Sequence, residues 1–268
     1  MTEGRFLLHG LLGQGGQGRV YDATDRRTGR RVVVKTLRPD RSGGEDAGQR
    51  LRREARALLR VRHPGIPRLV RVGLVGGEPA LVQEFVAGES LAHRLRDGPL
   101  PAGEAARLVL RLQEILDAVH AQGLVHRDVK PSNILLPPDR VVLLDFGCAY
   151  HGDLRRMTLL GYTPGTPSYV APELLLGACP VGPWVDHFSV GMTLYEMVTG
   201  GLPDTERGPI ARALRSARAA HGYDPRDARP DVPPPVAEAV RLLTDPQFRR
   251  RAANAAQAHG LLRHAGAV

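Results

Sequence analysis

The first third of the chain carries apolar residues at strand-like spacing, and the pattern then turns helical. Phe6–Leu12, Arg19–Thr24 and Arg31–Leu37 read as strands, with Thr28-Gly29 as the turn between the second and third, so this part predicts an antiparallel meander. A Gly-rich, charged loop over 38–48 follows. Leu51, Ala55, Leu58 and Leu59 then recur at helical spacing and predict a helix with these residues on its apolar face, closed by Pro64 and Pro67. Leu69–Val75 and Ala80–Phe85 predict two more strands, and Gly88 marks a hinge. Beyond it the pattern is mostly helical. Leu108, Leu112, Ile115, Leu116 and Val119 define a long buried helix ending at Gly123, and a second apolar helix covers about 186–199. Between them lie loops and one predicted strand, Val141–Phe146. The Pro-rich stretch Pro225–Pro235 leads to a closing helix over Val236–Leu243 and then an Arg- and Ala-rich tail.

Composition narrows the classes. With 42% apolar residues the chain has material for a real core. No apolar run reaches the ~18 residues of a spanning helix, and the opening MTEGRFLL lacks the basic-then-apolar order of a secretion signal. The sequence therefore predicts a cytoplasmic protein without a membrane span, with Cys148 and Cys179 both reduced. The net charge of +9 favours acidic partners, but the arginines are scattered rather than gathered in a tract, so no specific nucleic-acid site is expected. The basic residues conceal a sharper fact. Of 37 Lys and Arg, only Lys35 and Lys130 are lysine, and the only asparagines are Asn133 and Asn254.

Those rare residues fall in motifs. Gly13-Gln14-Gly15-Gly16-Gln17-Gly18-Arg19-Val20 is a loop whose missing side chains let backbone N–H groups approach phosphates. A dinucleotide-binding turn uses similar glycines but needs a helix at the loop and then a parallel strand. The 13 residues between Gly18 and Val32 carry strand and turn signals instead. Lys35 ends the third strand. Glu54 lies one turn from both Leu51 and Leu58, so it points inward, and a carboxylate aimed into the interior needs a cation; Lys35 is the candidate. His126-Arg127-Asp128-Val129-Lys130-Pro131-Ser132-Asn133 follows the long helix and holds the second lysine and the first asparagine. Asp145-Phe146-Gly147 follows, and Ala171-Pro172-Glu173 begins 26 residues past Asp145. A compact ammonium fits among crowded phosphate oxygens where a guanidinium does not, which explains why lysine persists at these two places.

In this order and at these separations the motifs resemble the eukaryotic-type (Hanks-type) serine/threonine protein kinases, over about residues 5–258. The scarcity of lysine and asparagine suits a G+C-rich genome and points to a bacterial member. The resemblance implies an α+β fold of two lobes: a small antiparallel-sheet lobe over about 5–83, a hinge at about 84–88, and a larger helical lobe over about 89–262. It implies ATP and Mg²⁺, or Mn²⁺, as cofactors and protein hydroxyls as substrates, with autophosphorylation. Lys35, held by Glu54, would grip the α- and β-phosphates, Asn133 and Asp145 would hold metal, Asp128 would orient the attacking hydroxyl and accept its proton, and Lys130 would stabilise the moving phosphate. Thr166 resembles the threonine that bonds Asp128 and Lys130. Adenine would lie between Val20 and Val33 above and Leu135 below, read by backbone groups of Glu84 and Val86, with Gln83 as gatekeeper. Leu58, His126 and Phe146 would form an apolar stack anchored at Asp186, and Glu173 would pair with Arg249, or with its neighbours Arg250 or Arg251. Arg127, with Thr158 or Thr163, would carry control by loop phosphorylation.

Two departures stand out. Val33 replaces the usual alanine above the base, and Ser132 stands where kinases preferring basic substrates carry an acid, which favours acidic or neutral flanks. A pseudokinase scaffold would normally lack one of the Lys, Asp or Asp-Phe-Gly positions, and none is missing. A small-molecule phosphotransferase of related fold would lack Thr166 and the Ala-Pro-Glu segment.

Overall fold

The computed structural model describes residues 4–15, 18–37, 47–149, 167–175, 181–203 and 219–266. Strands β1 (Phe6–Gly15), β2 (Gly18–Asp25) and β3 (Arg30–Leu37) form the expected meander, and β4 (Leu69–Val75) and β5 (Glu78–Glu84) complete a five-stranded antiparallel sheet in the order β1-β2-β3-β5-β4. Gly29 takes the left-handed conformation that the β2–β3 turn requires. One face of the sheet buries Ala23, Val32, Val34, Ala80 and Val82 as a small core.

Helix α1 (Ala47–Arg60) lies between β3 and β4 in the chain. Leu51, Glu54, Ala55 and Leu58 are buried, whereas Leu59, expected on the same face, is 67% exposed. The inner face is filled by the 51–54–55–58 row; Leu59 stands about 100° farther round the helix and falls on the solvent side. A short pair, β6 (Glu89–Ser90) and β7 (Ile134–Leu136), joins β8 (Val142–Leu143) in a second sheet. Gly88 precedes it at a close approach: a Cβ there would meet the Pro137 nitrogen at 2.9 Å. The strand predicted over Val141–Phe146 is thus only two residues long, because Asp145 turns left-handed (φ 63°) and Phe146–Cys148 form a 3-10 turn.

The rest is helical: α2 (Ala102–His120), α3 (Pro183–Thr199), α4 (Pro234–Leu243) and α5 (Phe248–Gly266). The tail expected after Leu243 is therefore a nineteen-residue helix. Its buried residues, Arg251, Ala255, Ala258, His259 and Leu262, recur at helical spacing. One apolar cluster runs from Leu51, Ala55 and Leu58 of α1 through Val109, Leu112 and Leu116 of α2 to Val240 and Leu262, and ties the sheet lobe to the helical lobe. Such continuity comes from the hydrophobic effect, at about 1.5–3 kcal/mol for each large side chain fully buried.

Two polar features sit inside the helical lobe. Glu173 pairs with Arg251, not with Arg249, which is exposed. Arg251 is fully buried, donates its Nε to the Trp184 carbonyl at 2.8 Å, and lies over the Phe188 ring at 5.2 Å. Arg251 sits three residues into α5, on its buried face, while Arg249 and Arg250 point to water. The second feature is a line of histidine rings. His187 packs edge-on against His120 (5.9 Å) and His259 (6.3 Å), and its Nδ1 is buried without a hydrogen-bond partner among the described residues. Burial first, then the neighbouring His120, push the His187 pKa down to about 4, against an opposing pull from Asp186.

Both features yield expected outcomes. Arg251→Ala strands the buried Glu173 carboxylate and should cost about 3–5 kcal/mol in urea unfolding, whereas Arg249→Ala should stay within about 0.5 kcal/mol; equal effects would restore the original pairing. His187 binds its proton more readily when unfolded, so its contribution to stability is present above pH 6.5 and is lost as pH falls toward 4. By pH 5 the loss should reach about 2 kcal/mol. His187→Leu should flatten this part of the melting-temperature profile; an unchanged slope would assign the acid sensitivity elsewhere.

Candidate active site

The glycine loop is a hairpin. Gly13 pairs with Val20 and Gly15 with Gly18 across β1 and β2, which removes the strand-to-helix turn of a dinucleotide fold. Gly16 lies outside the described residues. Beneath the sheet, between the lobes, is a cavity of about 430 Å³. Val20, Val33, Gln83, Glu84, Val86 and Leu135 line it, with Lys35, Glu54, Asn133 and Asp145 at its polar part. Leu12 and Leu144 also line it and were missed by sequence reading. Each directly precedes a motif, Leu12 before Gly13 and Leu144 before Asp145, and that adjacency was the available signal. The mix of an apolar slot and a few convergent polar groups is typical of a small-ligand site.

Three ionic groups meet there. Lys35 Nζ lies 2.6 Å from Asp145 Oδ1 and 3.0 Å from Glu54 Oε2. β3 supplies the lysine, α1 the glutamate and the left-handed turn after β8 the aspartate. Gly147 leaves the room: a Cβ on it would sit 3.0 Å from Asp145 Oδ1 and 3.3 Å from Glu54 Oε2. Burial works against the Lys35 ammonium, but Asp145 and then Glu54 outweigh it and hold its pKa above the ordinary value. Burial likewise opposes ionisation of Asp145, and Lys35 overrides it, bringing the carboxyl down to about 2. Glu54 is raised by burial, against the pull of Lys35. The Asp145 carboxylate adds to the rise at Glu54, and a further cation would relieve the repulsion between the two carboxyl groups.

The second cluster is the loop after α2. Lys130 Nζ donates to both Asp128 oxygens at 2.8 Å, and Asn133 Nδ2 donates to the Asp128 carbonyl and Oδ2, each at 2.8 Å. The loop hangs from Asp186 on α3. Its carboxylate is fully buried and accepts the His126 N–H (2.9 Å) and the Arg127 N–H (2.7 Å), and it meets His120 Nε2 at 2.8 Å. Burial would raise the Asp186 pKa, but the His120 contact leads a set of interactions that lower it, so it stays ionised. His120 carries no motif of its own, and sequence reading missed it. Arg127, buried and at φ 65°, takes the left-handed turn that these two bonds impose. His126 stacks edge-on to Phe146 at 4.8 Å, in the same region as Leu58. Thr158, Thr163 and Thr166 lie outside the described residues.

Asp145 and Asn133 offer hard oxygen donors on one wall of the cavity, and among the described residues no group of three or more His, Cys, Asp and Glu forms a metal cage. That donor set suits Mg²⁺, which keeps water and phosphate ligands and takes one or two protein groups. Among the described residues no helix is long and apolar enough to cross a membrane.

Comparison with known proteins agrees with this geometry. The model of the protein kinase domain matches residues 6–256. The serine/threonine-protein kinase PknA of Mycobacterium tuberculosis is 38% identical over 257 residues, covering 92% of this chain and 58% of that protein. Pkn2 of Myxococcus xanthus is 36% identical over 251 residues, covering 91% and 30%. PkaA of Streptomyces coelicolor is 37% identical over 215 residues, covering 74% and 39%. The chain thus spans between about a third and three-fifths of these relatives' lengths. Two lobes around a hairpin of glycines, a buried Lys–Glu–Asp triad and an Asp–Lys–Asn loop hung from a helix are matched by similarity over nearly the whole chain: it belongs to the eukaryotic-type serine/threonine protein kinase family, among its bacterial members.

Proposed function

We propose that the chain is a catalytic domain that transfers the γ-phosphate of ATP to serine and threonine hydroxyls of proteins, itself included. The carrying observation is the meeting, in one cavity, of the Lys35–Glu54–Asp145 triad with Asn133 of the Asp128–Lys130–Asn133 cluster. In this reading residues 5–83 form the nucleotide-covering lobe, 84–88 the hinge and 89–262 the lobe that receives the protein substrate. Adenine lies in the slot of Val20, Val33 and Leu135, with backbone groups of Glu84 and Val86 reading its edge and Gln83 behind it. The backbone of Gly13, Gly15, Gly16 and Gly18 covers the phosphates.

Phosphoryl transfer needs positioning and neutralisation of charge more than covalent help. Lys35, fixed by Glu54, grips the α- and β-phosphates. Asp145 and Asn133 hold Mg²⁺, which when bound neutralises charge on the phosphates. Asp128 aims the substrate hydroxyl and takes its proton, while Lys130, 2.8 Å from Asp128, follows the phosphate as it moves. Thr166 steadies Asp128 and Lys130.

Asp128→Asn should lower transfer to a peptide substrate at least ~100-fold with the melting temperature unchanged, since Asp128 is not part of the buried triad. Lys35→Met should also abolish transfer but cost stability as well, because it leaves Glu54 and Asp145 facing one another. Retention of more than about a tenth of wild-type activity in Asp128→Asn would remove it from the base role.

Control falls to the segment after Asp145. Arg127 directly precedes Asp128 in the chain, and a phosphothreonine would bring nearly two negative charges and three acceptors to its guanidinium. Thr158 and Thr163 are the candidates. After incubation with ATP and Mg²⁺, peptide mapping should find phosphate on one of them, and the Thr158→Ala, Thr163→Ala double variant should lose most activity. Full activity in that variant would leave Arg127 a structural residue.

A further inference from the structure

Alternate residues of a strand share a face, so Arg31 of β3 stands in one row with Val33 and Lys35. Val33 and Lys35 line the cavity, whereas Arg31 is not among its lining residues. Asp22 of β2 is the register partner of Val33 and belongs to the same face. Arg31 donates Nε and Nη2 to the two Asp22 oxygens at 2.8 and 2.9 Å, a two-pronged bond that fixes the orientation of the guanidinium. The guanidinium lies over the Phe85 ring, with Cζ 3.7 Å from the ring centroid.

Phe85 stands one residue past the end of β5, beyond the last rung of the ladder, Val32 with Glu84. Its ring joins none of the apolar clusters among the described residues. Glu84 is tied to the sheet, its N–H given to the Arg68 carbonyl at 3.0 Å; Phe85 is the first residue after it. Glu84, Phe85 and Val86 all line the cavity. The Glu84 carbonyl belongs to the peptide bond that enters Phe85, and the Val86 N–H to the one that leaves it. Peptide groups are planar, so φ and ψ of Phe85 alone set the angle between that acceptor and that donor.

We propose that Arg31 is a positioning residue that acts through Phe85: the Asp22–Arg31–Phe85 stack holds the Glu84 carbonyl and the Val86 N–H at the angle that the edge of a purine base requires. This rests on the proposed binding of ATP in the cavity. The stack is complete without a ligand, so it contributes preorganisation. Lys35, Asp128 and Asp145 are outside it, and a loss of equal size in ground state and transition state raises KM without lowering kcat. Lysine in place of Arg31 would keep the charge but lose the two-pronged bond to Asp22, and with it part of the effect.

The probe is ATP carrying an anthraniloyl fluorophore on its ribose, titrated with Mg²⁺ into the whole chain, together with KM and kcat for ATP from ADP release in the presence of a degenerate Ser/Thr peptide library. Arg31→Ala should raise the Kd and the KM about 2- to 5-fold, the worth of an exposed cation–π contact, with kcat within about twofold. Arg31→Lys should fall between Arg31→Ala and the wild type. Phe85→Leu should weaken binding, and adding Arg31→Ala to it should change nothing further, because the arginine acts through the ring. Arg31 is 55% exposed, so its variants should melt with the wild type. Wild-type binding with an indifferent Arg31→Ala overturns the proposal and leaves the kinase reading standing, and so does additivity of the two substitutions or a fall in kcat at constant KM. A wild-type chain that binds no nucleotide overturns both.

Discussion

A single buried ammonium organises this molecule. Lys35 reaches from β3, the central strand of the five-stranded sheet, to a glutamate on α1 and an aspartate after β8, so three separate elements are fixed by one atom. Burying charge is expensive, and an ion pair in such a place seldom adds net stability over a well-packed apolar substitute. Its value lies in conditionality. The triad is complete only when α1 is seated, because Glu54 comes from that helix and two carboxyl groups share one ammonium.

Asp186 is the counterpart in the helical lobe. Its carboxylate holds two successive backbone N–H groups and so bends the chain into a left-handed residue at Arg127, directly before Asp128. Asp145 is the other non-glycine residue with positive φ among the described residues. Such conformations cost of order 1–3 kcal/mol each and persist only where the surroundings over-determine them. Here the determinants are visible: a fully buried carboxylate for the first, and for the second the lysine together with the Gly147 N–H, 3.1 Å from Asp145 Oδ1. Both strained residues therefore border the site, and the packed helices α2 and α3 carry the load.

Much of this was legible in the sequence because the constraints are local. Strand pattern and turn glycine gave the sheet, and helical spacing placed Glu54 on an inward face before any partner was known. The failures share one cause. Leu59 was assigned by hydrophobicity, but an apolar residue can stand on the outer face when the inner one is already filled. Helix α5 looked like a tail because its buried row includes an arginine, a histidine and two alanines, which no apolar pattern reveals until Glu173 and Trp184 supply partners for the arginine. The choice among Arg249, Arg250 and Arg251 turned on helix phase, which the sequence left open where Arg250 replaces the family's usual proline. His120 and the His187–His259 contacts depend on α2, α3 and α5 meeting, which is a property of the tertiary fold alone.

Helix α1 shows how these constraints act together. Like charges at a spacing of four destabilise an isolated helix by about 0.2–0.5 kcal/mol per pair, so the row Arg52, Arg56, Arg60 makes α1 a poor helix by itself. It stands because Leu51, Ala55 and Leu58 join the continuous core and Glu54 meets Lys35. A helix held chiefly by its inner contacts responds to whatever touches its outer face, and neutralising the row removes the term that opposes it. The inner contacts are those that complete the buried triad. The charge pattern on the solvent side and the geometry of the cavity between the lobes thus meet in one helix, α1.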